Sequence, residues 1–142
     1  MTKETNLTNL KEIERLSYLY ASLIDKQEFN KLHLVFSDDA ILKVPEYTFE
    51  GVDSIIACME ALKEYDKTQH FVMNQLVDLI DKNASNEVYT LAYHFSKNEG
   101  VFNRLDWGII YRDKLIQNNE GWRICSRELE LVWEKNSVVK YQ

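Results

Sequence analysis

Three side chains in this 142-residue sequence are suited by type to moving a proton near neutral pH: His33, His70 and His94. Imidazole is the group whose unperturbed pKa lies nearest neutrality, so it can take or give a proton with little assistance. His70 lies in the most informative stretch, Thr68-Gln69-His70-Phe71-Val72-Met73-Asn74-Gln75-Leu76-Val77-Asp78. Apolar, β-branched and aromatic residues dominate it and neither Gly nor Pro interrupts it, which predicts a strand. A period of two puts His70, Val72, Asn74 and Leu76 on one face and Phe71, Met73, Gln75 and Val77 on the other. His70 and Asn74 then point the same way among apolar neighbours. On residue type alone, a core histidine bonded to a backbone carbonyl is the commoner arrangement.

His94 falls in a second predicted strand, Glu87 to Lys97, on a face shared with Thr90, Ala92, Ser96 and Asn98. His33 sits one position beyond an apolar stripe and reads as a surface or rim residue. The histidines are 37 and 24 residues apart, which is no zinc signature. Ser37-Asp38-Asp39 reads as a turn, and the Asp38-Asp39 pair lacks the further oxygen ligands of a calcium loop. Cys58 and Cys125 are far apart and match no metal or CxxC spacing, so both read as free thiols. No metal is expected.

The bulk numbers narrow the classes. The length suits one domain, residues 1–142, with one core. The hydrophobic fraction of 45% and charged fraction of 28% are those of an ordinary globular chain, and 12% aromatics point to an aromatic-rich core or pocket. A net charge of −6 and the absence of any basic run argue against a nucleic-acid surface. The first residues lack the apolar stretch of a signal peptide, and no run approaches the roughly 20 apolar residues of a membrane span. A cytoplasmic protein with no membrane or nucleic-acid partner is expected.

The elements that must position these groups follow from pattern. A helix with Leu10, Ile13, Leu16, Tyr20, Leu23 and Ile24 on its apolar face is expected from a cap at Thr5, Asn6 or Thr8 to about Asp25. A short helix over Glu28 to Phe36 and a third, capped by Asp53 or Ser54, come next. Short strands are expected at Ala40–Val44 and Tyr47–Phe49. After the His70 strand, a polar loop at Lys82–Asn86 leads to the His94 strand. Leu105 to Gln117 and Trp122 to Glu134 are the last two, joined by the turn Asn118-Asn119-Glu120-Gly121. In the last strand the apolar parity flips between Ile124 and Leu129, which predicts a β-bulge near Ser126-Arg127-Glu128. Helices followed by long strands joined by tight turns are an α+β pattern. The expected fold is about three helices packed on a strongly bent antiparallel sheet, with a cone-shaped pocket inside it.

This succession resembles the SnoaL-like family of the nuclear-transport-factor-2-like superfamily, the cystatin-like α+β barrels that include scytalone dehydratase and the bile acid 7α-dehydratases. The resemblance spans about Leu7 to Trp133. It rests on Tyr20-x4-Asp25 with Phe29 after it, Phe36-Ser-Asp-Asp-Ala40, Gly51, Thr68-Gln69-His70-Phe71, Asn74, Tyr111-Arg112-Asp113-Lys114-Leu115, and Gly121-Trp122-Arg123-Ile124 continuing to Leu129-x-Leu131-x-Trp133.

By that resemblance, Tyr20, Asp25 and His70 are the candidate catalytic residues. His70 would take a proton from carbon α to a carbonyl, Asp25 would fix its tautomer, and Tyr20 would polarise the carbonyl. His94, Asn74, Asn98, Trp107 and Tyr111 are the candidate substrate-binding residues. A gap-free comparison puts Asn98 where scytalone dehydratase-like proteins carry a second histidine, with His94 four residues earlier on the same face. The implied activity is a cofactor-independent lyase (dehydratase) or isomerase acting on a hydrophobic cyclic hydroxy-carbonyl compound. The alternative is a non-catalytic protein that binds an apolar small ligand. No cofactor is expected. Apolar residues on both faces of the sheet, such as Tyr89, Leu91, Tyr93 and Phe95 opposite His94, imply a homodimer, with a homotrimer as the other possibility.

Overall fold

The structure is a computed structural model that describes residues 2–140. Helix α1 runs Lys3–Asp25 and buries one stripe: Ile13, Leu16, Tyr20, Leu23 and Ile24. Its N-cap is Thr2, whose hydroxyl accepts from the Thr5 N–H at 3.1 Å, so the helix starts one turn earlier than the candidates Thr5, Asn6 and Thr8 imply. A six-residue 3₁₀ helix, Phe29–Leu34, takes the place of the expected second helix. Strands β1 (Phe36–Val44) and β2 (Tyr47–Glu50) form a hairpin, and Ser37-Asp38-Asp39 is part of β1 rather than a turn. Helix α2 spans Val52–Met59 and continues as a 3₁₀ turn, Glu60–Glu64. Its N-cap is Gly51 and not Asp53 or Ser54; at φ 86°, ψ 148° the chain enters the helix through backbone space open essentially to glycine alone.

Four long strands follow: β3 (Lys67–Ile80), β4 (Asn83–Asn98), β5 (Val101–Asn118) and β6 (Gly121–Val139). They pair antiparallel in sequence, so the polar segment Lys82–Asn86 is mostly strand and not loop. Among the described residues the sheet has six strands in the order β2-β1-β6-β5-β4-β3 and is not closed. One expectation needs correction: the sheet is mixed, because β1 lies parallel to β6. β1 lies between β6, which it pairs in parallel, and β2, which it pairs antiparallel and which forms the edge of the sheet.

Bulges set which side chains face inward. Between β5 and β6 the register shifts at Lys114/Leu115, with Cys125 the extra residue, one position before the expected bulge. This brings Trp122 and Ile124 to the same face as Arg127 and Leu129. A second shift, at Gly108/Ile109, makes Val132 an extra residue and sends Trp133 to the opposite face from Leu131. In β3 the register shifts between Val72 and Gln75. Thr68, His70 and Val72 face in before the shift, and Gln75, Val77 and Leu79 after it. Asn74 and Leu76 are therefore exposed and do not share the face of His70.

Candidate functional site

Asp25 is the last residue of α1. A carboxylate there faces the negative end of the helix dipole and needs donors from elsewhere. The start of β3 supplies three: the Thr68 hydroxyl at 3.0 Å, the His70 backbone N–H at 2.8 Å and His70 Nδ1 at 2.7 Å. Because a carboxylate only accepts, Nδ1 carries the proton in the neutral ring and the Nε2 lone pair is left free. The His70 side chain is 5% exposed and that of Asp25 25%, so the carboxylate is reached from outside while the ring is enclosed.

His94 is fixed by a different partner. Its Nδ1 lies 3.0 Å from the Leu105 carbonyl, an acceptor only, so here too Nδ1 holds the proton and Nε2 is an acceptor. Burial pushes its pKa down, and the bond to Leu105 offsets this only in part, which keeps the ring neutral. Trp107 and Tyr65 pack on it, with ring centroids at 4.8 and 4.9 Å. The two imidazoles stand edge to face, 6.4 Å apart.

Both histidines line a cavity of about 230 Å³ between the helices and the sheet. Tyr20, Trp107 and Tyr111 line it as well, and most of the remaining wall is apolar side chains from β1, α2 and the turn after it, β5 and β6. Cys58 adds a thiol whose pKa is raised by burial. The Tyr20 and Tyr111 rings meet edge to face with centroids 5.9 Å apart, and burial raises both pKa values, Tyr111 well above the usual phenol range. Both stay protonated in the physiological range. Five of the eight candidate residues thus share one cavity, and Asp25 joins them through His70. Asn74 and Asn98 do not: Asn74 is turned out by the β3 bulge, and Asn98 is exposed at the end of β4. His94, not Asn98, is the β4 residue beside His70. His33 is half-exposed between Asp38 and Asp53, as its position beside the apolar stripe implied. Among the described residues no group of side chains could hold a metal ion.

Sequence reasoning missed a charged pair buried behind the cavity wall. Arg127 is fully buried and bidentate to Asp113, Nε to Oδ1 and Nη2 to Oδ2, both at 2.7 Å. Burial works against its charge, but the Asp113 carboxylate more than compensates and holds the pKa up. The signal was available: Asp113 is the one charged residue in the inward row Trp107, Ile109, Tyr111, Leu115. Arg127 interrupts the inward row of β6 in the same way.

The match to family models identifies the class. The SnoaL-like domain model matches residues 5–128, and the chain belongs to that family. Among solved structures, a scytalone dehydratase named as putative, from Novosphingobium aromaticivorans, superposes with a TM-score of 0.86 at 22% identity, covering 98% of this chain and 94% of the other. A hexachlorocyclohexane dehydrochlorinase gives 0.83 at 13% identity, with 96% and 93% covered. An NTF2-like protein with a cystatin-like fold, also from N. aromaticivorans, gives 0.78 at 22% identity, with 92% and 86% covered. At these identities the likeness is one of fold. No curated protein matches the sequence.

Proposed function

We propose that the cavity is a cofactor-independent proton-transfer site, a dehydratase or isomerase for a small, largely apolar cyclic hydroxy-carbonyl compound. The observation that carries this reading is the Asp25–His70 pair: a carboxylate 2.7 Å from Nδ1, with Nε2 of the same ring free beside an apolar cavity. A ligand-binding protein has no need to hold a buried imidazole on a carboxylate; a bond to a backbone carbonyl, as at His94, suffices. The fold neighbours include enzymes named for loss of water and of hydrogen chloride, both eliminations, which agrees with the reading.

The mechanism follows from the donors and acceptors. His70 Nε2 takes the proton from carbon α, and Asp25 stabilises the imidazolium that forms. The Tyr20 hydroxyl donates to the carbonyl oxygen as it gains negative charge. His94, neutral with Nε2 bare, accepts from the substrate hydroxyl and orients it. For dehydration, the proton on His70 passes to the departing hydroxyl; the C–O bond breaks, the C=C bond forms and water leaves. For isomerisation, the same proton returns at another carbon. The supply of a hydroxyl acceptor and a carbonyl donor in one small cavity favours a substrate bearing both groups.

The test needs no knowledge of the natural substrate. Small cyclic ketones such as 1-tetralone should exchange α-hydrogens for deuterium in D₂O when the protein is added, followed by NMR. A screen of β-hydroxy ketones for loss of water then addresses the full reaction. If wild type and His70→Gln exchange at the same rate, the proton-transfer reading is wrong and the cavity is a binding site.

A further inference from the structure

The Arg127 guanidinium is packed against the rings of Tyr111 and Tyr20, at 4.1 and 4.6 Å from their centroids, with Phe36 at 6.0 Å. Tyr20 and Tyr111 line the cavity, whereas neither Arg127 nor Asp113 does. The cation therefore lies behind the tyrosines and acts on a ligand only through them. As a stabiliser of the fold the arrangement is poor. A fully buried ion pair is often no better than a hydrophobic replacement of its own volume, and here Arg127 Nη1 is left with no hydrogen-bond partner. A site built for packing alone has no use for it.

We propose that the Asp113–Arg127 pair positions and polarises the Tyr20–Tyr111 hydroxyl pair as the anchor for a carbonyl oxygen of the ligand. The flat guanidinium fixes the two ring planes, which meet at 78° with centroids 5.9 Å apart. Its charge lies against both π faces and draws electron density from the phenols, which strengthens Tyr20 as a donor. The neighbouring Tyr111 side chain works on Tyr20 in the same direction. Arg127 opposes the effect of burial on Tyr20 but does not overcome it, so Tyr20 remains a neutral donor rather than a phenolate. Asp113 sets the strength of the effect, because its carboxylate neutralises part of the field that the rings feel. Arg127 and Asp113 are positioning residues in this scheme. The inference rests on the reading of the cavity as the ligand site, and it adds that the ligand presents an uncharged carbonyl to the tyrosine pair.

The experiment compares two ligands of the same shape, tetralin and 1-tetralone, by calorimetry. The quantity read is the ratio of their dissociation constants. Tyr20→Phe should lower the preference for the ketone by about 3–10-fold, the worth of one net hydrogen bond. The neutral double variant Arg127→Met/Asp113→Leu should lower it by a comparable factor and leave the tetralin constant unchanged. Asp113→Asn, which keeps the cation and removes its counter-charge, should move the ratio the other way. It also serves if the double variant does not fold. A purely structural pair gives no such opposed signs. The proposal is overturned if the ratio in the double variant equals that of wild type, if Asp113→Asn leaves or lowers the preference, or if Tyr20→Phe has no effect. Deuterium exchange separates this from the proton-transfer reading. Exchange with an unmoved ratio counts against the tyrosine anchor alone. Opposed ratios without exchange uphold the anchor and count against the base.

Discussion

At the scale of single residues, the site is defined by which nitrogen of each histidine is occupied. His70 and His94 both commit Nδ1, the first to a carboxylate and the second to a carbonyl, so identical side chains are held by partners of different charge. His70→Gln should cut deuterium exchange and any turnover by about 10²–10⁴-fold, the usual contribution of a general base. Asp25→Asn should approach that loss, because an amide cannot balance the imidazolium. Thr68→Val removes only one of three donors to Asp25 and should cost far less. His94 gives a prediction in stability. An unfolded histidine titrates near pH 6.5, and burial holds the folded His94 below that. As pH falls through about 6.5 the unfolded chain takes up a proton that the folded chain does not, so stability declines until the folded pKa is also passed. His94→Gln removes this contribution. Urea midpoints at pH 7.5 and 5.0 should differ less in the variant than in wild type; an equal difference would mean that His94 does not carry the dependence.

At the scale of elements, two glycines hold positions that the chain's geometry requires. Gly51, at φ 86°, lets the chain leave β2 and enter α2 while its N–H donates to the Ala40 carbonyl at 2.8 Å. Gly51→Ala should cost about 1–3 kcal/mol, the strain of a side chain in that region. Because α2 carries Cys58 and Met59 of the cavity wall, the loss should appear as weaker 1-tetralone binding as well as a lower melting temperature. Element positions were largely legible from the sequence: the α1 stripe, the four long strands and the bulge in β6 all follow from where apolar residues recur. The β3 bulge was not, because Val72-Met73-Asn74-Gln75-Leu76 alternates acceptably in either register and only pairing with β4 decides between them. That one slip turned Asn74 outward. The parallel β1-β6 pair was equally hidden, since pairing direction leaves no mark on a short strand. His70, Asp25 and Tyr20 are candidates that the family resemblance supplies, whereas Arg127 and Asp113 lie in plain alternation with apolar residues and carry no such mark, because charged residues are seldom fully buried.

At the scale of the whole molecule, the face of the sheet away from α1 needs an explanation. One register row crosses four strands as Phe71, Leu91, Gly108 and Trp133. Trp133 lies over Gly108, where an added Cβ would fall 2.1 Å from its Nε1, so the indole is laid flat across the sheet. Phe71 packs edge to face on Tyr93 with centroids 5.2 Å apart, and Phe71, Tyr89 and Trp133 remain 44%, 37% and 45% exposed. Charged pairs border the row: Arg104 with Asp106, and Arg112 with Glu130. An apolar centre with a polar rim has the make-up of a subunit interface. Self-association through this face is therefore expected, with a dimer the simplest closed form. Sedimentation velocity at micromolar concentration should give a species larger than the monomer. Leu91→Glu places a charge in the middle of the row and should return the protein to a monomer. The row is on the opposite side of the sheet from His70 and His94, so the monomeric variant should keep its cavity and bind 1-tetralone as wild type does. A wild type that sediments as a monomer would remove this role from the outer face and leave the site on the inner face untouched.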